Sequence, residues 1–117
     1  MLSGKIHTAR LTGCEPDYEG SLEIDCDLLD AAGILVFEKI LVSNRTNGER
    51  LETYAIPGPA GGRRFCLNGP AALKAKAGDV VTIMSFSVCS REEAERSNPK
   101  IIILNQENVI IQRKGGA

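Results

Sequence analysis

Histidine is nearly absent from this chain, which carries one, His7, in 117 residues. A zinc site built on two or three imidazoles is therefore excluded, and His7 cannot fill several catalytic roles at once. Aromatic residues make up only 4% (three Phe, two Tyr, no Trp), so the core must come from Val, Ile, Leu and Ala. Such a core is thin, and a partner subunit is expected to complete it. No sign of charge dominates: 14 Lys+Arg stand against 15 Asp+Glu, and the only basic tail is Arg113-Lys114. That balance gives no footprint for a phosphate backbone and argues against nucleic acid. The start, Met1-Leu2-Ser3-Gly4-Lys5, has no apolar leader core. No run approaches the ~20 apolar residues of a membrane span. The four cysteines (Cys14, Cys26, Cys66, Cys89) show no C-x-x-C spacing, so they read as reduced thiols of a cytoplasmic protein.

Short strand patterns separated by single Gly and Pro residues are what the chain does contain. Lys5–Leu11 alternates, with Ile6 and Thr8 opposite Lys5 and His7, and Ser21–Asp25 puts Leu22 and Ile24 on one face. Lys39–Val42 and Arg50–Ile56 flank Thr46-Asn47-Gly48-Glu49, where Asn-Gly predicts a type I′ hairpin turn. Arg64–Leu67, Asp79–Val88, Lys100–Leu104 and Val109–Gln112 complete the strands. Helices are few. Asp25-Cys26-Asp27 caps Leu28–Ala32, which ends at Gly33; Pro70 opens a turn or two reaching Lys76. Ser90-Arg91-Glu92-Glu93 has capping-box spacing before Ala94–Arg96. The pattern predicts one domain, 1–117, a mainly β barrel of six to eight strands with short helical turns.

Spacing alone leaves the candidate chemistry open. Gly20-Ser21 reads as a strand-entry turn, Asn68-Gly69 as another turn, and Arg50 as a solvated strand end. Tyr54 fits a barrel wall with its hydroxyl at the rim, Thr53 is an ordinary strand former, and Lys5 a surface charge. His7 reads as structural. Period two also puts Arg50 and Tyr54 on one face of their strand and Thr53 on the other. Either a bulge intervenes, or these residues serve sites in different subunits.

Several segments taken together nevertheless resemble the pyruvoyl-dependent aspartate 1-decarboxylases, over roughly Met1 to Pro99. They are Gly4-Lys5-Ile6-His7, Tyr18-Glu19-Gly20-Ser21, Asp27-Leu28-Leu29-Asp30-Ala31-Ala32-Gly33-Ile34, Thr46-Asn47-Gly48-Glu49-Arg50, Thr53-Tyr54-Ala55-Ile56, and Asn68-Gly69 followed by Ala71-Ala72. The resemblance implies a double-psi β-barrel, a homotetramer with sites between subunits, and self-cleavage at Gly20-Ser21 into pieces 1–20 and 21–117. Ser21 would attack the Gly20 carbonyl, the resulting ester would eliminate to dehydroalanine, and hydrolysis would leave a pyruvoyl group and ammonia. Gly20 would let the backbone bend into attack geometry. Thr53 and Asn68 would support that processing. The pyruvoyl ketone would form a Schiff base with the amino-acid substrate and accept electrons as carbon dioxide leaves.

By the same resemblance Tyr54 is the general acid, Arg50 and Lys5 bind a substrate carboxylate, and Tyr18, Asn68, Gly69 and Ala71 line the substrate site. No metal is expected, and a maturation partner is possible. The product would be β-alanine, on the route to pantothenate and coenzyme A. Three positions depart from the family's habit: Pro70 for a small residue, Ser43 for an aromatic, and Asp17 for His. The first two leave room for a different amino-acid substrate. Lys100 to Ala117 match poorly. A non-catalytic barrel that never cleaves is the competing reading from another class.

Overall fold

The computed structural model describes residues 1–116. Its strands are β1 (Leu2–Arg10), β2 (Gly13–Glu15), β3 (Ser21–Asp25), β4 (Lys39–Asn44), β5 (Arg50–Gly58), β6 (Phe65–Asn68), β7 (Val80–Phe86), β8 (Lys100–Leu104) and β9 (Ile110–Lys114). Two short helices, α1 (Cys26–Ala32) and α2 (Arg91–Glu95), and a 3-10 helix (Gly69–Lys74) lie between them. The strands join one sheet in the order β2-β6-β3-β5-β4-β7-β1-β8-β9. Parallel pairs (β1 with β8, β2 with β6, β3 with β5) are mixed with antiparallel ones. Ile6, Leu22, Ile40, Ala55, Leu67, Ile83 and Ile102 come from seven different strands yet share one buried cluster. Strands so far apart in sheet order can meet this way only if the sheet curls round its own inner face. The architecture is therefore the small β-barrel expected, with one strand more than the upper count. The extra strand, β2, is three residues long and is held by parallel pairing to β6.

Helix ends follow the sequence signals. Asp25 caps α1 by accepting from Asp27 N at 2.9 Å, and Gly33 ends it in the left-handed region at φ 68°. Ser90 and Glu93 cap α2 reciprocally.

Two local expectations need correction. The Asn47-Gly48 loop is not a type I′ turn, because only Gly48 has positive φ (79°). Asn44 organises it instead: its Oδ1 accepts from Thr46 N and Asn47 N, and its carbonyl accepts from Gly48 N. Alternation in β1 also breaks. A register shift lies between Ile6 and Ala9, Thr8 stands at φ 59°, and Ala9 rather than Thr8 follows Ile6 into the core. Thr8 Oγ1 donates to the Leu104 carbonyl across the bulge. Among the described residues no helix is long and apolar enough to cross a membrane, and the four cysteines are unpaired.

Candidate active site

Parallel pairing of β3 and β5 sets Leu22 opposite Ala55, so Ser21 and Tyr54, one residue earlier on each strand, stand side by side. Leu22 and Ala55 point into the core. Ser21 and Tyr54 therefore face the other way, and both line a cleft of about 540 Å³ with Tyr18, Phe37, Ile56 and Asn68. Asp17 and Glu19 add carboxylates to its wall.

Ser21 is only 2% exposed, and its hydroxyl accepts from Asn68 Nδ2 at 3.1 Å. Asn68 occupies the N-cap position of the 3-10 helix, where asparagine commonly caps with its own side chain. Here its side chain makes no cap bond and is turned to Ser21. The far end of the amide is fixed as well, since the Cys66 thiol donates to Asn68 Oδ1 at 3.4 Å. Burial pushes the Cys66 thiol up from its ordinary range, and the Arg64 cation partly opposes that shift. The Asn68 amide N–H thus faces the serine hydroxyl and fixes where that oxygen sits.

Gly20 does not show the conformational demand expected of it. Its φ is outside the left-handed range, and a Cβ there would meet nothing within 4 Å. The constraint falls on Gly69, whose φ is 77° and whose missing Cβ would lie 2.5 Å from Gly20 Cα and 2.7 Å from Gly20 N. Gly69 is the backbone rest for the segment ahead of Ser21. Gly69→Ala is expected to push that segment out and to add about 1–2 kcal/mol of left-handed backbone cost. The expected result is a lower thermal midpoint; a variant melting like the unsubstituted chain would refute that role.

Other expected site residues lie elsewhere. Thr53 sits on the opposite face of β5 from Tyr54, paired with Ile40, and does not line the cleft. Pairing along β5 is continuous, so no bulge reconciles the two faces. Ala71 packs against the core cluster and Pro70 is exposed. Lys5 and Arg50 are outside the cleft too, but the register puts them together with Tyr54 on the outer face of the sheet. Arg50 is opposite Ser43, and Glu52, Leu41, Met84 and Lys5 form one row across four strands. Neither cation forms an ion pair among the described residues. The same face holds two buried side-chain atoms without partners, Ser43 Oγ and His7 Nδ1. His7 is held below its ordinary pKa first by burial and then by Lys5, Arg45 and Lys114, which registers the positive field there.

Phe37 and Ile56 were not foreseen as site residues. The sequence context of Phe37 does not distinguish it from an ordinary loop position, and Ile56 stands out only as the end of the Thr53-Tyr54-Ala55-Ile56 segment.

Known proteins resemble the chain over most of its length. The family model described as aspartate decarboxylase matches residues 1–111, further than the motifs alone reach. An aspartate 1-decarboxylase of Bacillus licheniformis is 47% identical over 115 residues, 98% of this chain and 91% of the relative. That of Bacillus subtilis gives the same identity and coverage, 47% over 115 residues. The Salinibacter ruber protein of that name is 45% identical over 114 residues, 97% of this chain and 78% of its own.

Proposed function

The chain belongs to the aspartate decarboxylase family, and from that premise we infer that it converts L-aspartate to β-alanine and carbon dioxide with a carbonyl made from its own Ser21. The observation that carries this reading is the buried Ser21 hydroxyl, held by the Asn68 amide in a cleft that also contains Tyr54.

In the proposed maturation Ser21 Oγ adds to the Gly20 carbonyl, and the acyl group moves from nitrogen to oxygen. The ester then eliminates, leaving the Gly20 carboxylate and a dehydroalanine at residue 21. Water converts the latter to a pyruvoyl group and releases ammonia. The pieces are residues 1–20 and 21–117. Ser21 fits as the source of that group, being buried, bonded to a neutral donor and next to a residue without a side chain. Once formed, the group supplies an electrophilic carbonyl that condenses with the substrate amine and takes up the electrons left by carbon dioxide. Tyr54 holds the proton returned to the substrate carbon, and Tyr18 and Asn68 border the same space. Thr53 shares the inward face of β5 with Leu51 and Ala55, so its part in processing would be to hold the strand that carries Tyr54 rather than to touch Ser21.

Charge supports an assembly of several subunits. The cleft's own lining has Asp17 and Glu19 and no cation, which suits a dicarboxylic substrate poorly. Among the described residues Lys5 and Arg50 have no ion-pair partner on the outer face, and a homotetramer that sets this face against a neighbour's cleft would supply the missing positive charge.

Denaturing mass spectrometry of the purified chain is expected to find pieces 1–20 and 21–117, the larger with a borohydride-reducible carbonyl. Carbon dioxide release from aspartate should exceed that from glutamate and other amino acids. A chain that stays intact through prolonged warming, alone and with lysate supplying any maturation partner, would remove the self-cleavage. Equal release from aspartate and glutamate would remove the substrate assignment.

A further inference from the structure

Phe37 is the third residue of the turn Leu35–Glu38, closed by Glu38 N donating to the Leu35 carbonyl at 3.1 Å. Its φ is 70°, in the left-handed region where such a turn favours glycine or asparagine. A side chain kept there against its backbone preference is usually explained by burial, but Phe37 is 73% exposed and does not belong to the core cluster. What it touches is the site. It lines the cleft with Ser21 and Asn68, and its ring centroid is 6.3 Å from that of Tyr54 at a 47° tilt. That spacing is within the range of favourable aromatic pairs. The strand that carries Tyr54 also fixes Phe37, because Phe37 N donates to the Ala55 carbonyl at 2.7 Å and Ala55 N donates to Glu38 O at 3.1 Å.

We propose that Phe37 is a positioning residue that acts through Tyr54, its ring limiting how far the phenol can swing out of the cleft. This rests on the decarboxylase reading, in which Tyr54 must return a proton to one particular carbon. Tyr54 is itself 37% exposed, so its solvent side needs a wall. Backbone and site then pull in opposite directions at residue 37. Strained backbone conformations retained at functional sites are a known pattern.

The test uses Phe37→Asn and Phe37→Tyr in the mature protein, alone and with Tyr54→Phe. Both single variants should cleave like the unsubstituted chain by mass spectrometry and keep its association state. Phe37→Asn should melt at the same temperature or higher, because its backbone suits the turn. Its kcat on aspartate should nevertheless fall roughly ten-fold with KM changed less than about two-fold, and Phe37→Tyr should restore kcat. Added to Tyr54→Phe, Phe37→Asn should cost nothing further, as expected of two residues acting through one group. Three results overturn the proposal: Phe37→Asn turning over normally, losing stability or association along with activity, or lowering kcat by the same factor again in the Tyr54→Phe background. An unsubstituted chain that releases no carbon dioxide overturns the decarboxylase reading and this inference with it. An active unsubstituted chain matched by Phe37→Asn overturns this inference alone.

Discussion

Ser21→Ala is expected to remain one uncut polypeptide that releases no carbon dioxide from aspartate. The loss is total because the same atom is the nucleophile of cleavage and the leaving group whose departure creates the carbonyl carbon's double bond; alanine offers neither. The fold should survive. Removing the hydroxyl leaves the Asn68 amide short of one buried acceptor, a cost of about 1–3 kcal/mol. The core cluster does not include Ser21 and keeps its apolar contacts. Thermal melting and denaturing mass spectrometry on one sample separate the two effects. Any cleavage between residues 20 and 21 in this variant sinks the mechanism.

Tyr54→Phe separates processing from turnover. The substitution keeps the ring, and with it the contact to Phe37, and removes only the hydroxyl. Cleavage should proceed, because the Ser21–Asn68 pair does not involve Tyr54. Turnover should fall by roughly 10²–10⁴, the usual contribution of a positioned acid. Binding of aspartate should change little, so the loss should appear in kcat more than in KM. Unchanged turnover in a fully cleaved Tyr54→Phe protein would take the proton-donor role from this residue.

Much of the barrel was legible in the sequence because local chemistry and tertiary packing agree there. The Asp25 cap, the Gly33 stop and the Ser90–Glu93 box all need only neighbouring residues, and all form as expected. Misreadings occur where a distant partner decides. Nothing in Gly13-Cys14-Glu15 alternates long enough to announce a strand; its pairing with Cys66, Leu67 and Asn68 makes it one. Asn44, three residues before Asn47, captures the loop N–H groups and overrides the two-residue turn. The bulge at Thr8 is anchored by the Leu104 carbonyl, near the other end of the chain.

The site was legible chiefly through combined motifs. Ser21, Tyr18, Tyr54 and Asn68 do converge. Lys5, Arg50 and Thr53 do not join them within one chain, because a motif gives a residue's place in the sequence and not the surface it faces. Phe37 gave no sign, since a phenylalanine is among the last residues expected at positive φ.

The place of β1 has a consequence for the proposed two-piece protein. It is paired on one side with β7 and on the other with β8, deep within the sheet order, and it lies wholly in residues 1–20. The proposed break before Ser21 would therefore create no detachable leader. It would turn the piece that carries an internal strand into a separate molecule, retained by hydrogen bonds and by buried Ile6, Ala9 and Leu11. Unfolding, which involves one chain before cleavage, would afterwards release two, and refolding would become a second-order event. The melting temperature of the cut protein should then rise with protein concentration by mass action even within a single barrel. Dilution would be a denaturant for the mature form.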